Sequence, residues 1–418
     1  MKFLKQTIRD IHLEGRTVLL RADYNVPLQK DGTISDDLRI RASLPTIEYL
    51  LKKRCKVAII SHLGRPDGKR DERYTLEPAA ARLAQLLERD VRFVDDCWGD
   101  KVSQVMRLAK PGSITVLENL RFYNEEEAND ETFARNVAKS SRADYFVQDG
   151  FGVVHRAHAS TSAITHYLPS VAGLLLEREV QTIAGAVQAP DRPLVAIMGG
   201  AKVSDKIKVI EQLVKKADKI IIGGAMANTF LQYKGVSVGK SKVEGDVADI
   251  LDAVYASVEK KLASTKNILK APQTVDEFIL LPQDVAIAHD TDDSTRRCVS
   301  IDQIPSDAMA LDIGDATIER YCDELANAKT VIWNGPLGFS ENPTFAHGSA
   351  RVALTLAQNT NITSVVGGGD TADFVLKWDA NDGASFTHVS TGGGAGLDLM
   401  AGAPLPGLES LLDATRAK

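Results

Sequence analysis

The 418-residue sequence has only four cysteines, Cys55, Cys97, Cys298 and Cys322, with no CxxC pair and no histidines at zinc spacing. That excludes a disulfide framework and a cysteine-built metal cage, and predicts free structural thiols. No apolar run is long enough to span a bilayer, and Lys2, Lys5, Arg9 and Asp10 interrupt the first ten residues, so no secretory signal is expected. The expected setting is cytoplasmic, with no membrane partner. Positive charge is not in excess: the formal net charge is -6, which argues against nucleic acid as a main partner. The acidic residues Glu125, Glu126, Glu127, Asp130 and Glu131 read as a solvated loop and helix start rather than a cation site. Two fingerprints are also missing, the P-loop G-x-x-x-x-G-K-[ST] and a well-placed G-x-G-x-x-G with an acidic ribose anchor.

What is present is ordinary globular composition, 44% hydrophobic and 25% charged, in a chain long enough for two cores. Short Val- and Ile-rich runs alternate with helix-length amphipathic stretches, the pattern of βαβ units and a largely parallel sheet. Strands are predicted at 17–20, 56–60, 114–117 and 145–147, then at 194–198, 219–222, 309–313, 330–333, 363–366 and 387–389. Proline-flanked 168–193, with a helical pattern over 174–187, suits a connecting helix. The fold class is therefore α/β, with two Rossmann-like doubly wound parallel-sheet domains joined by a hinge helix. The expected domains are 1–170, with 404–418 packing back onto it, and 191–403, with 171–190 as the hinge. A short amphipathic helix is expected around Leu408, Leu411 and Leu412.

In open parallel sheets, ligands bind outside the carboxyl ends of the strands. After the first-half strands stand Arg21, Asp23 and Asn25, then His62 and Arg65, then Arg121, then Asp149 and Arg156, joined by Arg39 from a helix start. Arginine's planar fork suits carboxylate and phosphate oxygens, so this set predicts a small polyanionic ligand. After the second-half strands stand glycines: Gly199 and Gly200, Gly223 and Gly224, Gly314, Gly335 and Gly338, Gly367 to Gly369, and Gly392 to Gly394. Such turns let backbone amides approach phosphates at helix N-termini. Lys202 and Lys206, spaced to share one side of a helix's first turns, can neutralise phosphate, and Asp370 can hold a nucleotide-bound Mg²⁺. An anion-binding half and a nucleotide-binding half together imply phosphoryl transfer.

The segments RADYNVP (21–27), SHLGRP (61–66), LENLRF (117–122), DGFGVVHRAHAS (149–160), GGAKVSDK (199–206), GGAMANTFL (223–231), WNGPLGFSE (333–341), GGGDTA (367–372) and STGGGAG (390–396) closely resemble phosphoglycerate kinase, in order and over nearly the whole chain. The resemblance implies a hinge-bending glycolytic kinase, expected as a monomer, that uses 3-phosphoglycerate or 1,3-bisphosphoglycerate and ADP or ATP with Mg²⁺. It assigns Asp23, Asn25, Arg39, His62, Arg65, Arg121 and Arg156 to the triose. It assigns Gly200, Lys206, Gly223, Gly224, Gly314, Asn334, Glu341 (ribose hydroxyls), Gly368, Gly369, Asp370 (magnesium) and Thr371 to the nucleotide. Arg39, Lys202 and Lys206, with the amides of Gly369 and Gly393, would stabilise the transferring phosphoryl group. The sequence departs from the family's usual pattern at Asp315 (proline), Gln283 (valine), Gly396 and Asp398 (serine and glutamate), and over a longer 260–293 stretch. A Rossmann-type oxidoreductase would need the missing dinucleotide turn. A non-catalytic two-domain binding protein for a phosphorylated metabolite would explain the arginines but not Lys202, Lys206 and Asp370.

Overall fold

The computed structural model describes residues 3–29, 31–265 and 271–414. Residues 266–270 fall in the long 260–293 stretch and 415–418 in the segment expected to pack back; both groups lie outside the described residues. The chain divides into two compact units, Lys2–Gln181 with Pro404–Lys418, and Thr182–Ala403. The division falls inside a helix, Leu174–Gln188.

The first unit is built on β1 (Thr17–Arg21), β2 (Lys56–Ile60), β3 (Val91–Val94), β4 (Ile114–Leu117), β5 (Tyr145–Gln148) and β6 (Ser170–Ala172). They form one parallel sheet in the order β3-β4-β2-β1-β5-β6, with Thr17 opposite Lys56 and Arg21 opposite Ile60. A parallel sheet is covered on both faces, so the middles of its central strands are apolar on both. Successive side chains point to opposite faces. Accordingly Val18, Leu20, Val57, Ile59 and Val147 enter one core, while Leu19, Ala58, Ile60, Leu117 and Phe146 enter the other. The C-terminal segment returns to this unit through a short helix, Pro406–Glu409. Gly407 N donates to Val154 O at 2.9 Å, and Lys5 Nζ donates to Leu411 O at 2.9 Å.

The second unit contains β7 (Leu194–Met198), β8 (Lys219–Ile222), β9 (Ile279–Leu280), β10 (Asp284–Ala288), β11 (Arg297–Ser300), β12 (Met309–Ile313), β13 (Thr330–Asn334), β14 (Thr363–Gly367) and β15 (His388–Val389). Its main sheet is parallel, in the order β15-β14-β13-β7-β8-β9. The strand expected at 309–313 is present, but it lies in a separate antiparallel sheet, β11-β10-β12. No crossover helix of useful length separates these three strands, so they pair antiparallel rather than join the parallel sheet. β3, β6, β9, β10 and β11 were not predicted. Of these, β3 carries exposed Arg92, β11 has no buried residue, and β6 and β9 are only three and two residues long; β10 does carry a buried apolar run, Val285–Ala288, which the sequence reading passed over.

Candidate functional site

Because every strand of the first sheet runs the same way, the segments after β1, β2, β4 and β5 emerge at one edge. Arg21, the last residue of β1, is 1% exposed. Two residues on, Asp23 accepts an ion-paired hydrogen bond from Arg39. Gly152 makes this possible, since a Cβ there would overlap the Asp23 carboxylate. Burial pushes the Asp23 carboxyl up, but Arg39, His62 and Arg21 outweigh it and bring its pKa down to about 2. Asn25 Oδ1 accepts from Gly64 N at 2.8 Å, fixing the turn between His62 and Arg65.

His62 is buried, and burial together with Arg21, Arg121 and Arg39 lowers its pKa well below the ordinary value, Asp23 opposing. Its imidazole is therefore neutral at neutral pH. Arg121 is buried, donates to Gly64 O at 2.8 Å and pairs with Glu127 at 3.1 Å, yet its Nε has no partner. Burial holds this guanidinium below its usual range, and the like charges of Arg156 and Arg65 add to the effect. The structure thus brings Arg65, Arg121 and Arg156 into one field of positive charge. Arg65 is exposed and Arg156 half-buried.

Three residues of this edge serve the scaffold. Glu118 accepts from Thr75 Oγ1 at 2.8 Å and Leu76 N at 3.0 Å, and Asn119 Nδ2 donates to Leu63 O at 2.7 Å and Tyr74 O at 2.9 Å. Asp149, fully buried, accepts from Leu175 N at 3.0 Å and Leu176 N at 3.3 Å, holding the start of the helix Leu174–Gln188. Burial raises its carboxyl to about 7.

In the second unit, the turns after β7, β8, β13 and β14 likewise share one edge. Lys206 Nζ reaches back to donate to Gly199 O at 2.7 Å and Asn334 O at 3.3 Å. Burial lowers its pKa to about 8 although Asp370 and Asp205 oppose the shift. Lys202 does not share its side of a helix as expected. It is exposed, precedes the 3₁₀ turn Ser204–Lys206, and lies near Glu244, whose carboxylate accepts from Val203 N at 2.6 Å and Ser204 N at 3.1 Å.

The glycines divide into two kinds. A Cβ at Gly199, Gly224 or Gly335 would overlap neighbouring backbone, and one at Gly223 would overlap Leu337, so these glycines let the turns pack on one another. Gly200 (φ +91°) faces Lys206 Nζ instead, and Gly314 makes room for the Asp284 carboxylate. Gly369 and Gly393 would meet nothing within 4 Å, and Gly368 faces only the Asn334 amide. Gly369 begins the helix Gly369–Trp378, whose first-turn amides have no partner within the helix. Thr371 is turned inward, its hydroxyl accepting from Gly335 N at 2.6 Å. Asn334 is 1% exposed, and neither side-chain polar atom has a partner. Glu341 is exposed and shares with Asp370 a cavity of about 680 Å³, lined also by His347, Phe374 and Trp378.

Asp370 is exposed and makes no ion pair among the described residues. Among those residues, no group of three or more His, Cys, Asp or Glu could hold a metal ion unaided. One free carboxylate fits a Mg²⁺ that arrives with phosphate oxygens and water as its other ligands. No helix among the described residues is long and apolar enough to cross a membrane.

Sequence reasoning missed Glu126. It is fully buried, not solvated, and accepts from Ser160 N at 3.0 Å and Ser160 Oγ at 2.5 Å. A Glu inside a run of acidic residues gave no signal of burial; only the Arg21–Ser160 pairing could have suggested a buried counter-charge.

Comparisons agree with this geometry. A family model described as "Phosphoglycerate kinase" matches residues 8–403. The chain is 44% identical over 410 residues to the phosphoglycerate kinase of Pelotomaculum thermopropionicum, covering 98% of this chain and 99% of that one. It is 46% identical over 416 residues to the chloroplastic phosphoglycerate kinase of Volvox carteri, covering 98% and 86%. Among solved structures, phosphoglycerate kinase from Coxiella burnetii superposes with a TM-score of 0.81 at 35% identity, covering 97% of this chain and 98% of that one.

Proposed function

The chain belongs to the phosphoglycerate kinase family, phosphotransferases with a carboxyl group as acceptor, and from that premise we propose how its two strand edges divide the reaction. The first unit binds 3-phosphoglycerate or 1,3-bisphosphoglycerate, and the second binds ADP or ATP. The observation that carries this division is that, of the several buried polar atoms left without partners, Arg121 Nε lies beside the arginines of one edge and the Asn334 amide beside the glycine turns of the other. Buried polar atoms are normally satisfied, so each points to a ligand that completes it.

On the first edge, Arg65, Arg121 and Arg156 hold phosphate, and the neutral His62 donates a hydrogen bond. Asp23 holds Arg39 toward the carboxylate that receives the phosphoryl group. On the second edge, Lys206 and the amides at Gly368, Gly369 and Gly393 face the phosphates, Asn334 completes its hydrogen bonds there, and Glu341 takes the ribose hydroxyls. Lys202, exposed, joins them only on binding. Magnesium, held through Asp370, would neutralise phosphate charge.

In the direction of acyl-phosphate synthesis, a carboxylate oxygen of 3-phosphoglycerate forms the new P–O bond in line while the bond to the ADP leaving oxygen breaks. The carboxylate is already the nucleophile, so no side chain removes a proton. The protein's part is positioning and stabilising charge on the equatorial oxygens. In-line transfer needs both ligands within bonding reach, so the reading includes closure about 171–190, in a monomeric cytoplasmic enzyme. A coupled assay of 3-phosphoglycerate-dependent ADP formation from MgATP tests it: turnover is expected, and its absence with every nucleotide tried would leave only a binding protein.

A further inference from the structure

Arg21 is not among the residues assigned to either ligand, yet it is the hub of a buried polar chain. Its Nε donates to Ser160 Oγ at 2.8 Å, one terminal nitrogen donates to Ala22 O, and the other lies 3.2 Å from His62 Nδ1. Ser160 passes the contact on, its hydroxyl donating to Glu126 Oε1 at 2.5 Å while its amide donates to Oε2 at 3.0 Å. Arg21, Ser160 and Glu126 are each no more than 2% exposed.

A guanidinium can only donate hydrogen bonds. Nδ1 of His62 must therefore accept, and the single proton of the neutral ring sits on Nε2. A second proton could enter only at Nδ1, against Arg21. The other charged groups around the ring are Arg39 and Arg121, which also disfavour the imidazolium, and Asp23, which favours it without prevailing. Among the described residues, Nε2 has no hydrogen-bond partner.

We propose that Glu126, Ser160 and Arg21 form a positioning relay that locks His62 as the neutral Nε2–H tautomer. His62 then meets an anionic oxygen of the substrate as a fixed donor rather than as a mobile charge. Glu126 orients Ser160, Ser160 orients the guanidinium, and the guanidinium selects the tautomer. The donor role rests on the reading that this edge binds the triose; the tautomer itself does not.

The test separates the two. Long-range ¹H–¹⁵N spectra of the full-length, ligand-free protein, with His62 assigned through His62→Gln, report which ring nitrogen carries the proton. The relay predicts pyridine-type Nδ1 and pyrrole-type Nε2, unchanged from pH 6 to pH 8. Ser160→Ala should move the ring toward tautomer averaging and raise KM for 3-phosphoglycerate by roughly tenfold, as for one lost hydrogen bond to a charged group, with a smaller effect on kcat. Ser160→Thr, which keeps the hydroxyl, should restore both. A proton on Nδ1 in the wild-type protein, or an imidazolium at pH 7, would overturn the relay even if neither Ser160 variant folds. So would a folded Ser160→Ala protein with the wild-type tautomer. Failure of the substrate reading would look different: the stated tautomer in a protein without turnover.

Discussion

Lys206 gives the sharpest pH prediction. Its ammonium is tied to two backbone carbonyls beside the Gly199–Gly200 turn, and burial brings its pKa to about 8. The ratio kcat/KM reports the free enzyme's ionisations. For MgATP it should be level up to about pH 7 and then fall with unit slope. One unit above the pKa roughly one molecule in eleven keeps the charge, so at pH 9 the ratio should stand about tenfold below its plateau. kcat should change less, because bound phosphates hold the proton on. Unfolding through this group would not mimic the effect. Between about pH 8 and the ordinary lysine value, the unfolded chain keeps a proton that the folded chain has lost, so this group's contribution to stability rises with pH. Lys206→Arg, whose charge does not titrate in this range, should flatten the profile at whatever activity it retains. A flat wild-type profile to pH 10, or the same fall in Lys206→Arg, would refute the reasoning.

Other substitutions probe separate parts of the account. Gly335→Ala puts a Cβ at φ +97° against the Gly199 backbone and Lys206 Nζ, so it should cost at least about 2 kcal/mol in denaturant unfolding and displace the lysine. Gly369→Ala meets nothing within 4 Å and should leave stability within about 0.5 kcal/mol of wild type while raising KM for MgATP. Arg39→Ala should lower kcat by about 10²- to 10³-fold, the range for one preorganised donor to a developing charge, with little effect on nucleotide binding. The Asp149 carboxyl, raised to about 7 in the folded protein, contributes stability below the ordinary aspartate value that is lost as pH rises toward 7. Asp149→Asn should therefore gain thermal stability relative to wild type as pH rises from 4 to 7, read by calorimetry; a difference independent of pH would contradict the assignment.

The sequence made the arginines legible because a parallel sheet sends all its strand ends to one edge, so Arg21, Arg65, Arg121 and Arg156 could be grouped without knowing any contact. The wholly apolar cores of β1, β2, β7 and β13 were legible for a similar reason, since burial on both faces leaves an uninterrupted run. The edge strands β3 and β11 had partly exposed residues and no such mark. Glycine identity could not reveal its use: Gly335 makes room for another backbone, whereas a side chain at Gly369 would meet only open space. Lys202 and Lys206 looked equivalent by spacing, but the segment between them winds as a 3₁₀ turn and only Lys206 folds back beneath the glycines. Glu126 was hidden among acidic neighbours because burial of a carboxylate depends on a distant partner, here Ser160 and the charge of Arg21.

The division of ligands between the two units is tested most directly by calorimetric titration of wild type, Arg121→Ala and Lys206→Ala with 3-phosphoglycerate and MgADP separately. Arg121→Ala should lose affinity for 3-phosphoglycerate and keep it for MgADP, and Lys206→Ala should do the reverse. Loss of both ligands by either folded variant, or of neither by both, would contradict the account.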